Sequence, residues 1–180
     1  METITLLDAA RNLEVDAISA IFKEYSTPIY RYALRLCQDP IRADHIVGDV
    51  FAKFIDQLAE GKGPQSNLKS YLYQTAYHLI VDQSQKAKFV SPIEIIGLSL
   101  SDDSRVDIDV EKRILLDSLL IAMNNELTED QRHVIVLRFL EGFNINETAE
   151  ILGKHPSNVK VLQHRGILAL RQALKAKAER

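Results

Sequence analysis

Apolar residues recur every three or four positions along most of this chain, and that spacing predicts helices almost throughout. From Val15 the positions Ile18, Ile21, Phe22, Tyr25, Ile29, Tyr30, Ala33 and Leu36 define a first long helix, with Pro28 placed to bend or divide it. The residues before it, 1 to about 14, read as a loosely held lead-in or a short helix. Asp39-Pro40 supplies a cap and a first-turn proline for a second helix. Its stripe is wide: Ile46, Val47, Val50, Phe51, Phe54, Ile55 and Leu58. The run from Gly61 to Asn67 is rich in loop formers. A third helix follows from Leu68, with Ser66 or Asn67 as its cap and Leu72, Ala76, Leu79 and Ile80 on its buried side.

Past about Phe89 the periodicity stops. The stretch to Val110 holds Glu94, Asp102, Asp103, Asp107 and Asp109 against Arg105, with Pro92 and Gly97 as breakers, as expected of an acidic linker. An amphipathic helix over roughly Val110–Asn124 opens a second helical region. Thr128, with Gln131 three residues on, caps the next helix, which carries Val134, Ile135, Leu137 and Phe139 up to Gly142. No strand-like alternation of useful length and no internal repeat occurs. The expectation is an all-α chain of two small domains, residues 1–88 and 111–180, joined by a linker over 89–110.

The segment from Asn144 to Arg165 organises the second domain. Asn144 followed by Glu147 is a capping-box start, Gly153 suits the left-handed conformation that ends a helix, and Pro156 suits the first turn of the next. Helix, short glycine-containing turn, helix is the pattern of a helix-turn-helix. From Lys154 onward the basic residues are Lys154, Lys160, Arg165, Arg171, Lys175, Lys177 and Arg180, against the single acid Glu179. Such a helix suits a polyanion, DNA phosphates above all. On charge alone, a two-helix packing unit with a solvated basic end fits as well, because basic residues also complement a helix C-terminus.

The formal net charge of −3 argues against nucleic acid only until its distribution is seen, since the acids cluster elsewhere. The one cysteine, Cys37, forms no internal disulfide, which fits a reducing compartment. Met1 to Ala10 has neither a basic start nor a long apolar core, so no signal peptide or membrane span is expected, and a cytoplasmic protein is the simplest reading. His45, His78, His133, His155 and His164 never fall with Cys37 at a metal-ligand spacing. Glu129-Asp130 and Asp102-Asp103 read as helix-start and linker acids rather than catalytic carboxylates. With no phosphate-cradling glycine loop and no nucleophile elbow, neither enzyme activity nor a cofactor or metal is expected.

Leu127–Leu174 resembles the fourth conserved region of bacterial sigma-70-family factors. Arg42–Phe54 is similar to the second region's core-polymerase-binding helix, and Ser70–Lys88 to the adjoining promoter-melting and recognition helix. Order and length resemble the extracytoplasmic-function (ECF) subgroup. The resemblance implies a sigma factor that binds core RNA polymerase, through the β′ clamp helices and the β flap, and directs it to promoter DNA, with an anti-sigma factor as a further partner. It implies that Ser157, Asn158, Lys160, Val161, His164 and Arg165 meet the minus-thirty-five element. Lys160 and Asn158 suit base edges and Arg165 phosphate. At Leu162 and Gln163 relatives carry a basic residue and then Leu. It implies that Asp44, Ile46, Val47, Asp49 and Lys53 dock on the clamp helices, whereas Val50 and Phe54 read as core. Gly48 stands where relatives prefer Gln, so weaker helix or close packing is expected there. The minus-ten element falls to Gln65, Ser66, Asn67, Lys69, Tyr71, Tyr73, Gln74, Tyr77 and His78, with the base-capturing loop at Gly61–Leu68. Tyr71 and Tyr73 fit a stacking role and a core role alike. Gln74, Tyr77, His78, Gln85 and Lys86 replace Arg, Arg, Asn, Arg and Arg, which implies a weak or atypical minus-ten contact. Two other readings remain: a stand-alone helix-turn-helix regulator, which binds without polymerase, and a helical adaptor, which tolerates charge reversal at Lys160 and Arg165.

Overall fold

The computed structural model describes residues 2–87 and 109–179, and all its regular elements there are helical. The chain divides into two compact units, one of Met1–Ile93 with Glu150–Gly153, the other of Glu94–Ala149 with Lys154–Arg180. The acidic linker expected over 89–110 lies, but for Asp109 and Val110, outside the described residues.

In the first unit the lead-in is a short helix, α1 (Glu2–Arg11). Leu7 and Ala10 bury its inner side, and it lies against α2 (Val15–Cys37). Pro28 sits inside α2 without dividing it. Asp39 caps α3 (Pro40–Ala59): its carboxylate accepts the Ile41 and Arg42 amides at 2.9 and 3.2 Å, satisfying donors that the first turn leaves unpaired. The Asn67 side chain likewise accepts the Ser70 amide at 3.4 Å at the start of α4 (Leu68–Ala87). Helices α2, α3 and α4 pack against one another around Ile21, Ile29, Ile46, Val50, Phe54 and Leu72, all fully buried. Each such side chain contributes roughly 1.5–3 kcal/mol through burial. Gly48 lies on the exposed side of α3 with nothing within 4 Å of where a Cβ would stand, so the close packing expected there is absent.

In the second unit α5 (Val110–Glu126) packs on α8 (Pro156–Ala178). The apolar face expected of α5 is largely open: Ile114, Leu115 and Ile121 are each more than half exposed, and Met123 alone in the helix is buried. Thr128 and Gln131 form the reciprocal capping box of α6 (Glu129–Ile135). The helix does not reach Gly142 in α form. From Val136 to Leu140 it widens into a π turn, marked by the Glu141 amide donating to the Val136 carbonyl at 3.0 Å. The extra residue in this turn rotates the later side chains about the axis, and Phe139 emerges half exposed instead of joining the core. Gly142, at φ +76°, ends the segment, and α7 (Ile145–Leu152) begins three residues later.

Candidate nucleic-acid interface

The geometry of the helix-turn-helix follows from its caps. Asn144 and Glu147 bond each other's backbone amides at 2.9 and 2.8 Å, and Gly153 at φ +60° closes α7. His155 then caps α8, a role that spacing alone did not single out. Its Nδ1 accepts the Ser157 amide at 3.3 Å and lies 2.8 Å from the Ser157 hydroxyl, with Pro156 in the first turn. Imidazole is not among the usual capping side chains, which is why the sequence offered no cue.

Helix α8 crosses α6 closely. A Cβ on the buried Gly166 would stand 3.2 Å from Ile135 Cγ1, so any larger residue there forces the Ile135 side chain to shift. Val159 and Leu170 are buried on the same side. Two polar devices brace the unit. The Arg132 guanidinium donates to the Met123, Asn124 and Leu127 carbonyls at 3.1–3.3 Å, tying the end of α5 to α6, and burial lowers its pKa. Lys154, in the turn, pairs with Asp130 at 3.0 Å, so it is engaged within the unit rather than aimed outward with the other basic residues. His133 is buried to 1% exposure, and desolvation, with the Arg132 charge beside it, pushes its pKa down to about 4, so it is neutral at ordinary pH.

With Val159, Gly166 and Leu170 facing inward, Ser157, Asn158, Lys160, Val161, His164 and Arg165 all lie exposed on the outer side of α8. Leu162 lies at the edge of the inward side and Gln163 within it, both half buried. The first unit is more mixed. Gln65, Ser66, Asn67, Lys69 and His78 are exposed, and Tyr71, Gln74 and Tyr77 half buried. Tyr71 tilts against Phe54 with ring centroids 6.0 Å apart, and burial raises its pKa. Tyr73 is a core residue, 1% exposed, with its ring 5.2 Å from that of Tyr32, and so has no face left for a base. On α3, Asp44, Asp49 and Lys53 are exposed, but Ile46 and Val47 point inward at 0% and 8% exposure. They hold the fold and cannot reach a partner. The exposed apolar residues on this side are Ile41, Ile55 and, from α2, Phe22, whose ring meets Phe51 edge to face at 4.8 Å. Phe22 and Ile55 belong to the apolar sets read from the sequence yet stay exposed, because a wide apolar stripe does not say which edge is covered, whereas Ile41 lies outside the stripe of α3.

A helix-turn-helix whose outer helix carries polar and basic side chains, on a chain with a second helical body, is the arrangement of a DNA-binding protein. Residues 21–89 match the family described as Sigma-70 region 2, and residues 118–170 that described as Sigma-70, region 4. The chain belongs to the sigma-70 family of transcription initiation factors, in its ECF group. Among curated relatives, it is 26% identical over 166 residues to the ECF RNA polymerase sigma factor SigX of Bacillus subtilis, covering 87% of this chain and 83% of the relative. It is 24% identical over 172 residues to BldN, an ECF RNA polymerase sigma factor of Streptomyces coelicolor, covering 94% of this chain but spanning 64% of that protein's length. Among solved structures, CnrH in complex with the cytosolic domain of CnrY matches with a TM-score of 0.73 at 17% identity, over 96% of this chain and 97% of that one. RpoE with the anti-sigma factor NepR from Bartonella quintana matches with a TM-score of 0.66 at 20% identity, over 87% and 96%. These two likenesses support the all-α fold.

Proposed function

We propose that this chain is held by core RNA polymerase and brings it to promoters carrying two spaced elements, the polymerase performing all the chemistry. Residues 1–88 form the core-binding and minus-ten domain, 89–110 the linker and 111–180 the minus-thirty-five domain. The observation that carries this reading is the outer side of α8, where six side chains suited to DNA are exposed while the opposite side is locked into the core. In the first unit the loop 61–68 with Gln65, Ser66, Asn67, Lys69, Tyr71, Gln74, Tyr77 and His78 meets the unpaired strand. Tyr73 is left out because it is buried. The β′ clamp helices dock on the outer side of α3, where Asp44, Asp49 and Lys53 rim the exposed Ile41 and Ile55. The second unit meets the β flap. Two weak DNA contacts on one tether raise each other's effective concentration, so neither has to be tight.

An anti-sigma factor is proposed as the regulator, supported by the similar structure of the sigma factor RpoE in complex with the anti-sigma factor NepR. Among the described residues no helix is long and apolar enough to cross a membrane, and the proposed site of action is the cytoplasm, where the polymerase works. Run-off transcription with core polymerase, with and without the chain, tests the reading. The expected outcome is a defined start site that appears only with both. A chain that protects a symmetric DNA site without polymerase is instead a stand-alone regulator.

A further inference from the structure

Val159, Gln163, Gly166 and Leu170 fall at i, i+4, i+7 and i+11 along α8, one seam on the helix side that faces α6. Three of the four are buried and apolar or without a side chain, and Gln163 is the polar exception. Its carbonyl oxygen accepts a hydrogen bond from Arg138 Nε at 2.8 Å. A second nitrogen of the same guanidinium donates to the Phe143 carbonyl, immediately before the Asn144 cap of α7. Arg138 stands in the middle of the π turn, which carries it off the regular α path. One planar, rigid donor fork therefore spans the start of α7 and the inner seam of α8.

We propose that Arg138 and Gln163 are a positioning pair that sets the roll of α8 about its axis, and through it which side chains meet the bases. This rests on the reading that the outer side of α8 faces DNA. Apolar contacts along the seam resist separation of the helices but are non-directional. A charge-assisted hydrogen bond is directional, and this one ties the π turn to α8 at a single azimuth. Successive residues on an α-helix lie about 100° apart, so a roll of a few tens of degrees displaces Lys160 and His164 from one base pair towards its neighbour. Neither Arg138 nor Gln163 is among the six outward residues, and both act through them.

The test uses the full chain bound to core polymerase. Wild-type holoenzyme first selects duplexes from a pool randomised across the upstream element. Fluorescence anisotropy then gives the affinity of wild type, Arg138→Met, Gln163→Leu, the double variant and Arg138→Lys for the selected duplex and a scrambled one, with melting curves of each free chain alongside. Each of the first two substitutions is expected to lower the ratio of specific to non-specific affinity about tenfold. The double variant should be no worse than the worse single, which is Arg138→Met, because both singles already remove the bond that Arg138 and Gln163 share. Arg138→Lys, which keeps a charged donor, should recover part of the ratio. Losses that multiply in the double variant overturn the proposal, as does a lowered melting temperature with the ratio unchanged. If wild type selects no sequence, α8 is not a reader and the pair has nothing to position, a result distinct from variants that fail on a site the wild type has chosen.

Discussion

At the scale of single residues, His133 shows how burial turns a titratable group into a stability term. Unfolded, it titrates near 6.5; folded, its pKa falls to about 4 because burial disfavours the charged ring. Between these values the unfolded chain binds a proton that the folded one does not, so stability rises with pH across that window. Its contribution is complete above pH 6.5 and is lost as pH falls towards 4, with a slope approaching 1.4 kcal/mol per pH unit. Urea unfolding of the wild type at pH 7.5, 6 and 5 should show this fall, and His133→Gln should flatten it. Lys160 and Arg165 are both exposed on α8, yet different effects are expected from them. Arg165→Ala should weaken selected and scrambled DNA alike and lower the slope of log affinity against log salt by about one. Lys160→Ala should cost about 1–3 kcal/mol of discrimination at one base pair. Binding titrations at several salt concentrations separate the two.

At the scale of elements, two glycines inside helices have opposite reasons for being there. Gly48 is exposed on α3 with open space around it, so Gly48→Ala should stabilise the first unit by up to about 1 kcal/mol, read as a rise in melting temperature. Gly166 sits where α8 crosses α6, 3.2 Å from the buried Ile135 for an added Cβ, and Gly166→Ala should destabilise the second unit by up to about 2 kcal/mol, an overpacking cost of about 1–3 kcal/mol offset by up to about 1 kcal/mol of helix propensity. Nothing local distinguishes them, since each is one glycine in a helical pattern. The start of α7 is the opposite case. Asn144, Glu147 and Gly153 act on backbone groups within a turn of themselves, and their roles were legible in the order of residues. The π turn was not legible, because Val136–Leu140 carries apolar spacing that suits a regular helix equally well.

At the scale of the whole molecule, the proposed grip on polymerase requires apolar residues that the fold leaves open. Ile41, 69% exposed, lies on the outer side of α3, where an acidic replacement removes no core contact. Ile41→Glu should reduce capture of core polymerase at least about tenfold while leaving the melting temperature within a degree or two. Equal capture by the variant would move the interface elsewhere on the unit. Ile46→Glu should instead unfold the first unit, because it places a charge in a fully buried site.

The amino-acid order alone determined the kind of most helices, the caps of α3, α4, α6 and α7, and the helix-turn-helix. These depend on neighbours within four residues and on a period that no other regular structure shares. Tertiary structure decided which edge of each apolar stripe is covered: Ile46 went inward, Phe22, Ile55 and Phe139 outward, and Tyr73 joined the core. It also joined Arg138 to Gln163 and buried His133. Each of these outcomes depends on side chains brought together from different helices, and spacing along one helix carries no record of what packs against it.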